Sequence, residues 1–182
     1  MWLTLATAAL AAPAGFEAGL TLAVPVGGVG PGPGLHLLGD VEVAPRLSLG
    51  AEVAARIPGV AAGDEEGDAL AEELRWRTGL AVVAGGPRVA FAFGPADGLH
   101  GRAALAGGLA WVSQDTTTQV GRTHDAALTG WICPQIGGLL PLGPGLLTAD
   151  LRFDVAPADL LVLGPSPGGT APGIAVGYRL PL

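Results

Sequence analysis

The chain of 182 residues has the length of one domain, is strongly apolar and carries a net charge of −7. Hydrophobic residues make up 49% of it and the mean hydropathy is +0.50, yet it has no run of about 18 apolar residues, which excludes a transmembrane helix. An apolar chain without such a helix is typical of a membrane β-barrel, whose lipid-facing residues are spread over short alternating strands. The negative charge argues against nucleic acid as a partner, because nucleic-acid binding needs a basic surface. The single cysteine, Cys133, excludes an intrachain disulfide.

Residues 1–14, MWLTLATAALAAPA, predict a signal peptide. They hold an apolar core over 3–12 and end in the small-x-small triplet Ala12-Pro13-Ala14, which is typical of a cleavage site. The alternative is a buried first strand or helix. With the signal peptide removed, residues 15–182 form the predicted barrel domain.

Apolar and polar residues alternate with a period of two through most of the remaining chain, which indicates β-strands rather than helices. In the hairpin 35–56, for example, Leu35 and Leu37 share one face, whereas Asp40 and Glu42 share the other. The Gly-Gly-Pro at 85–87 interrupts one run, so residues 88–93 either continue that strand after a bulge or form a separate ninth strand. The predicted strands cover residues 16–24, 35–43, 47–56, 73–83 with 88–93, 102–112, 126–140, 146–155 and 173–182.

The predicted connections alternate between long and short, as expected of an up-and-down antiparallel barrel of about eight strands. The long ones begin at Pro25, Pro58, Ser113 and Ala156, and the short ones lie near 44–45, 94–98 and 141–145. With the amino end in the periplasm, every long connection faces outward from the cell and every short one faces the periplasm.

The polar faces of these strands carry acidic and basic residues in near balance. In an eight-stranded barrel the inward side chains just fill the lumen, and charges buried there must pair or bear a desolvation cost of several kcal/mol each. The sequence therefore predicts a plugged, salt-bridged lumen. The predicted charge network comprises Glu17, Asp40, Glu42, Glu52, Arg56, Glu73, Arg75, Arg77, Arg102, Asp150, Arg152, Asp154 and Arg179.

Four aromatic side chains fall on the predicted apolar faces: Trp76, Trp111, Phe153 and Tyr178. Trp and Tyr favour the membrane–water interface, so these residues are predicted to lie in aromatic girdles. The alternative is ordinary core packing between two sheets.

In these features the chain resembles the small eight-stranded outer-membrane barrels, the OmpA/OmpX/OmpW-like group. The resemblance rests on the strand pattern over most of the mature chain. It implies an outer-membrane, porin-like protein of a Gram-negative cell, with outer-membrane lipid and the barrel-assembly machinery as partners. Members of the group usually end in an aromatic residue, whereas this chain has alternating Ile174, Val176, Tyr178 and Leu180 and then Pro181-Leu182.

The sequence offers little catalytic or metal-binding chemistry. None of His36, His100 and His124 forms a metal-binding pair, and His36 is interpreted as a hydrogen-bonding filler of the lumen. The acidic residues of 64–72 lack the spacing of a calcium loop and are interpreted as a solvated connection. His124, next to Asp125 and near Ser113 and Asp115, is the one grouping that suggests a hydrolase.

The first hypothesis is thus a structural or surface-exposed outer-membrane barrel with no catalytic residue, cofactor or metal. The second is a soluble secreted β-barrel or sandwich that binds a lipophilic ligand, since alternation alone does not tell which face points outward. The third is an outer-membrane barrel hydrolase that acts on lipid or peptide. The partner of the surface loops is not predicted.

Overall fold

The computed structural model describes residues 14–25, 31–65, 74–95, 98–118, 121–158, 160 and 169–182, with the backbone alone for 58–65 and 74–76. These residues form eight antiparallel strands in one closed barrel, in which each strand pairs with its neighbours in sequence and β8 pairs with β1. The strands are β1 (Ala14–Ala23), β2 (Gly32–Ala44), β3 (Leu47–Glu65), β4 (Leu74–Phe93), β5 (His100–Thr118), β6 (Gly121–Leu142), β7 (Gly145–Asp154) and β8 (Ala171–Pro181).

The predicted fold class, an all-β up-and-down antiparallel barrel, is confirmed. Residues 1–13 of the predicted signal peptide lie outside the described residues, and Ala14 begins β1, where it pairs with Val41. No helix in the described part of the chain is long and apolar enough to cross a membrane.

The break at 85–87 lies inside a continuous strand. Gly85 pairs with Leu109, and Arg88 pairs with Ala106 three residues further along in the same register. The alternative of a separate ninth strand is therefore wrong, and residues 88–93 belong to β4.

Two of the predicted long connections are wrong because the strands continue into them. β3 extends to Glu65, and β5 and β6 pair as far as Thr118 and Gly121. The threonines at 116–118 are β-branched and suit a strand, although their polarity resembles that of a loop. Inside the barrel, the hydroxyl groups of Thr78 and Thr116 lie 2.9 Å apart and form a hydrogen bond.

The two ends of the barrel differ. The turns β2–β3, β4–β5 and β6–β7 and the ends of β1 and β8 meet at one end, here called the lower end. The connections 24–31, 66–73, 119–120 and 155–170 leave from the upper end.

The outer wall of the barrel is apolar. Alternate residues of each strand point outward and are exposed, among them Leu20, Leu35, Val53, Val83, Leu109, Ile132, Leu151 and Ile174. A water-soluble barrel would bury this face and expose the charged one, which is the reverse of what is observed.

The interior has two zones. The lower zone holds the buried charges, and the upper zone is a hydrophobic cluster formed mainly by β4, β5 and β6, against which the start of the β7–β8 connection packs. The cluster comprises Leu80, Val82, Ala84, Ala106, Ala110, Val112, Trp131, Cys133, Ala156 and Leu160.

The predicted faces of the upper half of β4 are wrong. Thr78, Leu80 and Val82, expected on the outer face, are buried in the interior, and Arg77, expected in the lumen, is exposed on the outer wall. In a strand without a bulge, residues an odd number of positions apart lie on opposite faces. Arg88 points inward, so Arg77 must point outward.

One turn of the lower end holds a strained backbone. Arg46, between β2 and β3, has φ of +70°, a left-handed conformation that glycine adopts without cost. The equivalent turn between β6 and β7 has Gly143 at φ of +60°. The backbone N–H of Arg46 donates to Glu42 Oε1 at 3.1 Å, so this bond does not depend on the arginine side chain.

Arg46→Gly is expected to raise the free energy of unfolding by about 1 kcal/mol, because it removes the left-handed penalty and keeps the bond to Glu42. Urea unfolding in phospholipid vesicles measures this change. Arg46→Ala is the matched control, since it removes the same charge but keeps Cβ. Equal stability of the two variants would show that the backbone conformation is not the source of strain.

Candidate functional site: the barrel lumen

The lower zone of the lumen is organised around Glu17 of β1. Arg102 donates from Nη1 to Glu17 Oε2 at 2.6 Å, and His36 Nε2 lies 3.2 Å from Glu17 Oε1. Thr148 donates to the same Oε1 at 2.9 Å. The other side of the Arg102 guanidinium contacts Asp150, with Nε 3.3 Å from Oδ1. One arginine of β5 thus reaches across the lumen and bridges two carboxylates on β1 and β7, the two neighbours of β8.

A second group of charges crosses the middle of the lumen. Arg88 donates to Gln135 Oε1 at 3.1 Å and lies 3.5 Å from Glu52 Oε2. Gln135 in turn donates to Glu52 Oε2 at 2.7 Å. Arg152 Nη1 lies 2.9 Å from Glu52 Oε1, so Glu52 is held between two guanidinium groups and an amide.

The network continues to the upper zone through Asp154. Arg152 Nη2 lies 3.1 Å from Asp154 Oδ1, and the indole N–H of Trp131 donates to the same oxygen at 2.9 Å. Arg56 donates to the carbonyl oxygen of Gly169, at the end of the β7–β8 connection. Charged side chains therefore reach the segment that returns the chain to β8.

Asp40 and Arg179 close the network at the lower end. Arg179 Nη2 lies 2.7 Å from Asp40 Oδ1, and Arg88 Nη1 lies 3.9 Å from Asp40 Oδ2. Among the described residues, the lumen thus contains five arginines and five carboxylates in contact with one another or with polar groups: Arg56, Arg88, Arg102, Arg152 and Arg179 with Glu17, Asp40, Glu52, Asp150 and Asp154.

Nine of the thirteen residues of the predicted network lie in the lumen. Glu42 lies half-buried at the lower mouth and bonds to the turn, and Arg77 is on the outer wall. Glu73 and the side chain of Arg75 lie outside the described residues. The nine are Glu17, Asp40, Glu52, Arg56, Arg102, Asp150, Arg152, Asp154 and Arg179.

Sequence reasoning missed two members of the network, Arg88 and Gln135. Arg88 directly follows the Gly-Gly-Pro break, where an expected bulge leaves the face of the next residue undetermined. Gln135 lies in β6, where Leu128 and Ile132 compete with Trp131 for the outer face in the sequence. The structure places Trp131 and Gln135 inside, and Leu128 and Ile132 outside.

Little free volume remains among these side chains. Two voids of about 10 Å³ each lie in the charged zone, one beside Glu17 and Arg88 and the other beside Arg56 and Asp154. A void of this size holds about one water molecule. A wider pocket of about 170 Å³ opens at the lower mouth beside Glu42, Arg46 and His100.

The hydrolase grouping is only partly assembled. Asp115 Oδ1 accepts from Arg122 at 3.0 Å and lies 3.2 Å from His124 Nδ1. Ser113 and His124, both described, share no hydrogen bond. Asp125 accepts a bond from the backbone N–H of Ala126. In the described ranges, no three His, Cys, Asp or Glu side chains are placed to hold a metal ion.

No family model and no curated protein matches the sequence, so we compare the fold with solved structures. The match with Neisserial surface protein A covers 93% of this chain and 97% of that protein, with a TM-score of 0.59 and 9% sequence identity. The match with OprG from Pseudomonas aeruginosa covers 93% of this chain and 96% of OprG, with a TM-score of 0.53 and 13% sequence identity. The match with Ail of Yersinia pestis covers 93% of this chain and 97% of Ail, with a TM-score of 0.51 and 10% sequence identity. The chain has the fold of the small eight-stranded outer-membrane barrels.

This outer-membrane barrel spans the bilayer with its apolar outer wall towards lipid. The second hypothesis, a soluble barrel or sandwich with its apolar faces inside, is wrong, because those faces point outward. In such barrels the short turns lie in the periplasm, so the lower end is periplasmic and the upper end external.

Three of the four aromatic residues predicted for the girdles lie on the outer face of the barrel. Trp111 and Phe153 are 44% and 42% exposed on the outer wall, and Tyr178 is half-buried near the periplasmic end, where its hydroxyl donates to the carbonyl of Leu142 at 2.7 Å. The side chain of Trp76 lies outside the described residues. That Trp111, Phe153 and Tyr178 lie at the lipid–water interface stays a prediction.

Leu109→Arg is expected to lower the free energy of unfolding by about 2–4 kcal/mol in vesicles, the cost of a cation at the bilayer midplane. Leu109 is at the middle of β5 and 59% exposed on the outer wall, between Gly85 and Gly130 of the neighbouring strands. Urea titration of the folded barrel in vesicles measures the change.

Leu22→Arg is the matched control, a leucine that is 53% exposed on the outer wall at the external end of β1. It is expected to cost about 0–1 kcal/mol, because the penalty for a charge falls towards the interface. Equal effects of the two substitutions would contradict a lipid-facing wall centred on Leu109.

Proposed function

We propose that the chain is a structural, surface-exposed outer-membrane barrel whose lumen is plugged by ion pairs and which has no catalytic activity. The observation that carries this proposal is the matched network of five arginines and five carboxylates across the lumen. Buried charges need partners, and side chains that pair across a barrel occupy the space through which a solute would pass.

The voids in the network support the same function. Each has room for about one water molecule, whereas a solute pore needs a continuous aqueous path. The external end also receives Ala156 and Leu160 of the β7–β8 connection, which pack against the hydrophobic cluster.

Conductance in planar bilayers tests the plugged lumen. The wild-type barrel is expected to give no stable conductance steps above the lipid background. The variant Arg88→Gly with Arg152→Gly removes the two side chains that flank Glu52, and is expected to give steps if it retains the gel shift of a folded barrel on boiling. Stable steps from the wild-type protein would overturn the proposal.

The absence of catalysis is tested separately. The folded protein is incubated with phospholipid and with peptide substrates, and no turnover above that of His124→Ala is expected. Turnover that depends on both His124 and Ser113 would favour the hydrolase hypothesis instead.

We further propose outer-membrane lipid and the barrel-assembly machinery as partners and residues 1–14 as a signal peptide. The apolar outer wall and the alternating residues of β8 support the first two. Amino-terminal sequencing of protein extracted from outer membranes should then begin at Gly15. In cells depleted of the assembly machinery, the gel shift on boiling should disappear.

A further inference from the structure

Two arginines face outward near the external end of the barrel, above the apolar part of the wall. Arg77 of β4 pairs in register with Thr117 of β5, and Thr117 pairs with Arg122 of β6. Residues that are directly opposite in neighbouring strands point to the same face of a sheet. All three side chains are exposed, and Arg122 is 68% exposed. They form one lateral row, Arg77–Thr117–Arg122, here called the arginine row.

The geometry of the row suits one small anion. Neighbouring strands are about 4.8 Å apart, so the backbones of Arg77 and Arg122 are separated by about 10 Å. Two arginine side chains can converge across this distance on a group placed over Thr117, whose hydroxyl is available between them. Guanidinium groups bind phosphate oxygens through paired N–H donors.

The described side chains around the row carry more positive than negative charge. Asp115 and His124 form the next outward-facing pair of β5 and β6, and Asp115 is the one carboxylate that contacts Arg122 among the described residues. Among the side chains that the structure describes here, there are thus two guanidinium groups, Arg77 and Arg122, and one carboxylate, Asp115.

The height of the row matches the lipid headgroups. Thr117 is eight residues beyond Leu109, which is about 26 Å along a strand and about 20 Å along the membrane normal at a tilt of about 40°. The hydrocarbon core ends about 15 Å from the midplane and the headgroup layer about 20–22 Å from it. Below the row, the outward-facing pairs Asp115–His124 and Ser113–Ala126 separate it from Trp111 and Leu128, where the apolar wall begins.

We propose that Arg77, Thr117 and Arg122 bind a phosphate group of a lipid in the external leaflet. The source is a lipid rather than a dissolved anion, because the row faces outward at the height of the headgroup layer, above the apolar wall. This inference rests on the membrane placement of the barrel and does not depend on whether the lumen conducts.

Native mass spectrometry of the full chain, folded in detergent and titrated with diphosphoryl lipid A, tests the proposal. Each arginine near a charged membrane surface contributes about 1 kcal/mol, which is about fivefold in affinity. Arg77→Gln with Arg122→Gln is therefore expected to weaken lipid A binding by about 25-fold. The matched control is Arg46→Gln, an exposed arginine at the periplasmic end, which is expected to bind like the wild type.

Three results would overturn the proposal. The first is equal affinity of the double variant and the wild type, and the second is equal binding of lipid A from which both phosphates have been removed. The third is full competition by excess inorganic phosphate, which would mark a site for a dissolved anion. Weakening by the double variant, dependence on the lipid phosphates and no such competition together support it.

A role confined to the protein itself is distinguished by stability. If the arginines only pair with acidic side chains of this chain, the double variant loses the same free energy of unfolding in phosphatidylcholine vesicles with and without lipid A, which would also overturn the proposal. If the double variant does not fold, Arg77→Gln and Arg122→Gln are measured singly, and each is expected to weaken binding about fivefold.

Discussion

Arg102→Ala is expected to lower the free energy of unfolding by about 3–5 kcal/mol, the cost of leaving buried charges without their partner. Arg102 bonds both to Glu17, through Nη1 at 2.6 Å and Nη2 at 3.1 Å, and to Asp150. All three side chains are at most 5% exposed, so water cannot readily replace the guanidinium. Urea unfolding in vesicles, followed by the mobility difference between folded and unfolded protein on gels, measures the loss.

A neutral variant separates the charge effect from packing. Glu17→Gln, Arg102→Met and Asp150→Asn together remove all three charges at similar volume. Replacing a buried ion-pair group by neutral side chains of similar size is often close to neutral in stability. The triple variant is therefore expected to recover most of the stability that Arg102→Ala loses. A triple variant as unstable as Arg102→Ala would assign the loss to packing, and the ion pairs would not be what stabilises the lower zone.

The sequence predicts the barrel because each strand carries its own signal. The alternation in 35–56 identifies the apolar and the polar face from the residues alone, and the structure places Glu52 inside and Leu35 outside accordingly. Short turns such as the one at Pro45 and Arg46 mark the periplasmic end. These features are local, so they can be recognised without knowledge of the pairing.

The upper half of the barrel is where sequence reasoning fails. There the lumen is lined by Leu80, Val82 and Val112. Both faces of a strand are then apolar, so the alternation of residue types no longer tells the inner face from the outer face. Parity carried along β4 from Arg88 would have placed Arg77 outside, but the Gly-Gly-Pro at 85–87 predicted a bulge, and a bulge changes which residues share a face. The partners of each charge also depend on side chains from distant strands, which no local pattern contains.

Trp131→Ala is expected to lower the free energy of unfolding by about 3–5 kcal/mol, since it removes the largest side chain of the upper zone. Trp131 is 2% exposed and packs in the cluster with Val82, Val112 and Cys133. The substitution leaves a cavity and also removes the N–H donor that bonds Asp154 at 2.9 Å. Three other tryptophans remain in the chain, but the gel shift on boiling is the better probe, because it does not depend on fluorescence.

Trp131→Phe separates these two contributions. Phenylalanine keeps most of the apolar volume but cannot donate to Asp154, which Arg152 still contacts at 3.1 Å. The expected loss is about 1.5–3 kcal/mol, the net contribution of one hydrogen bond to a charged group, and thus less than that of Trp131→Ala. If the two variants lose the same amount, the bond to Asp154 accounts for the whole effect, and the hydrophobic cluster does not stabilise the external half of the barrel. If Trp131→Phe is neutral, Arg152 alone satisfies Asp154, and apolar packing around Trp131 stabilises the external half.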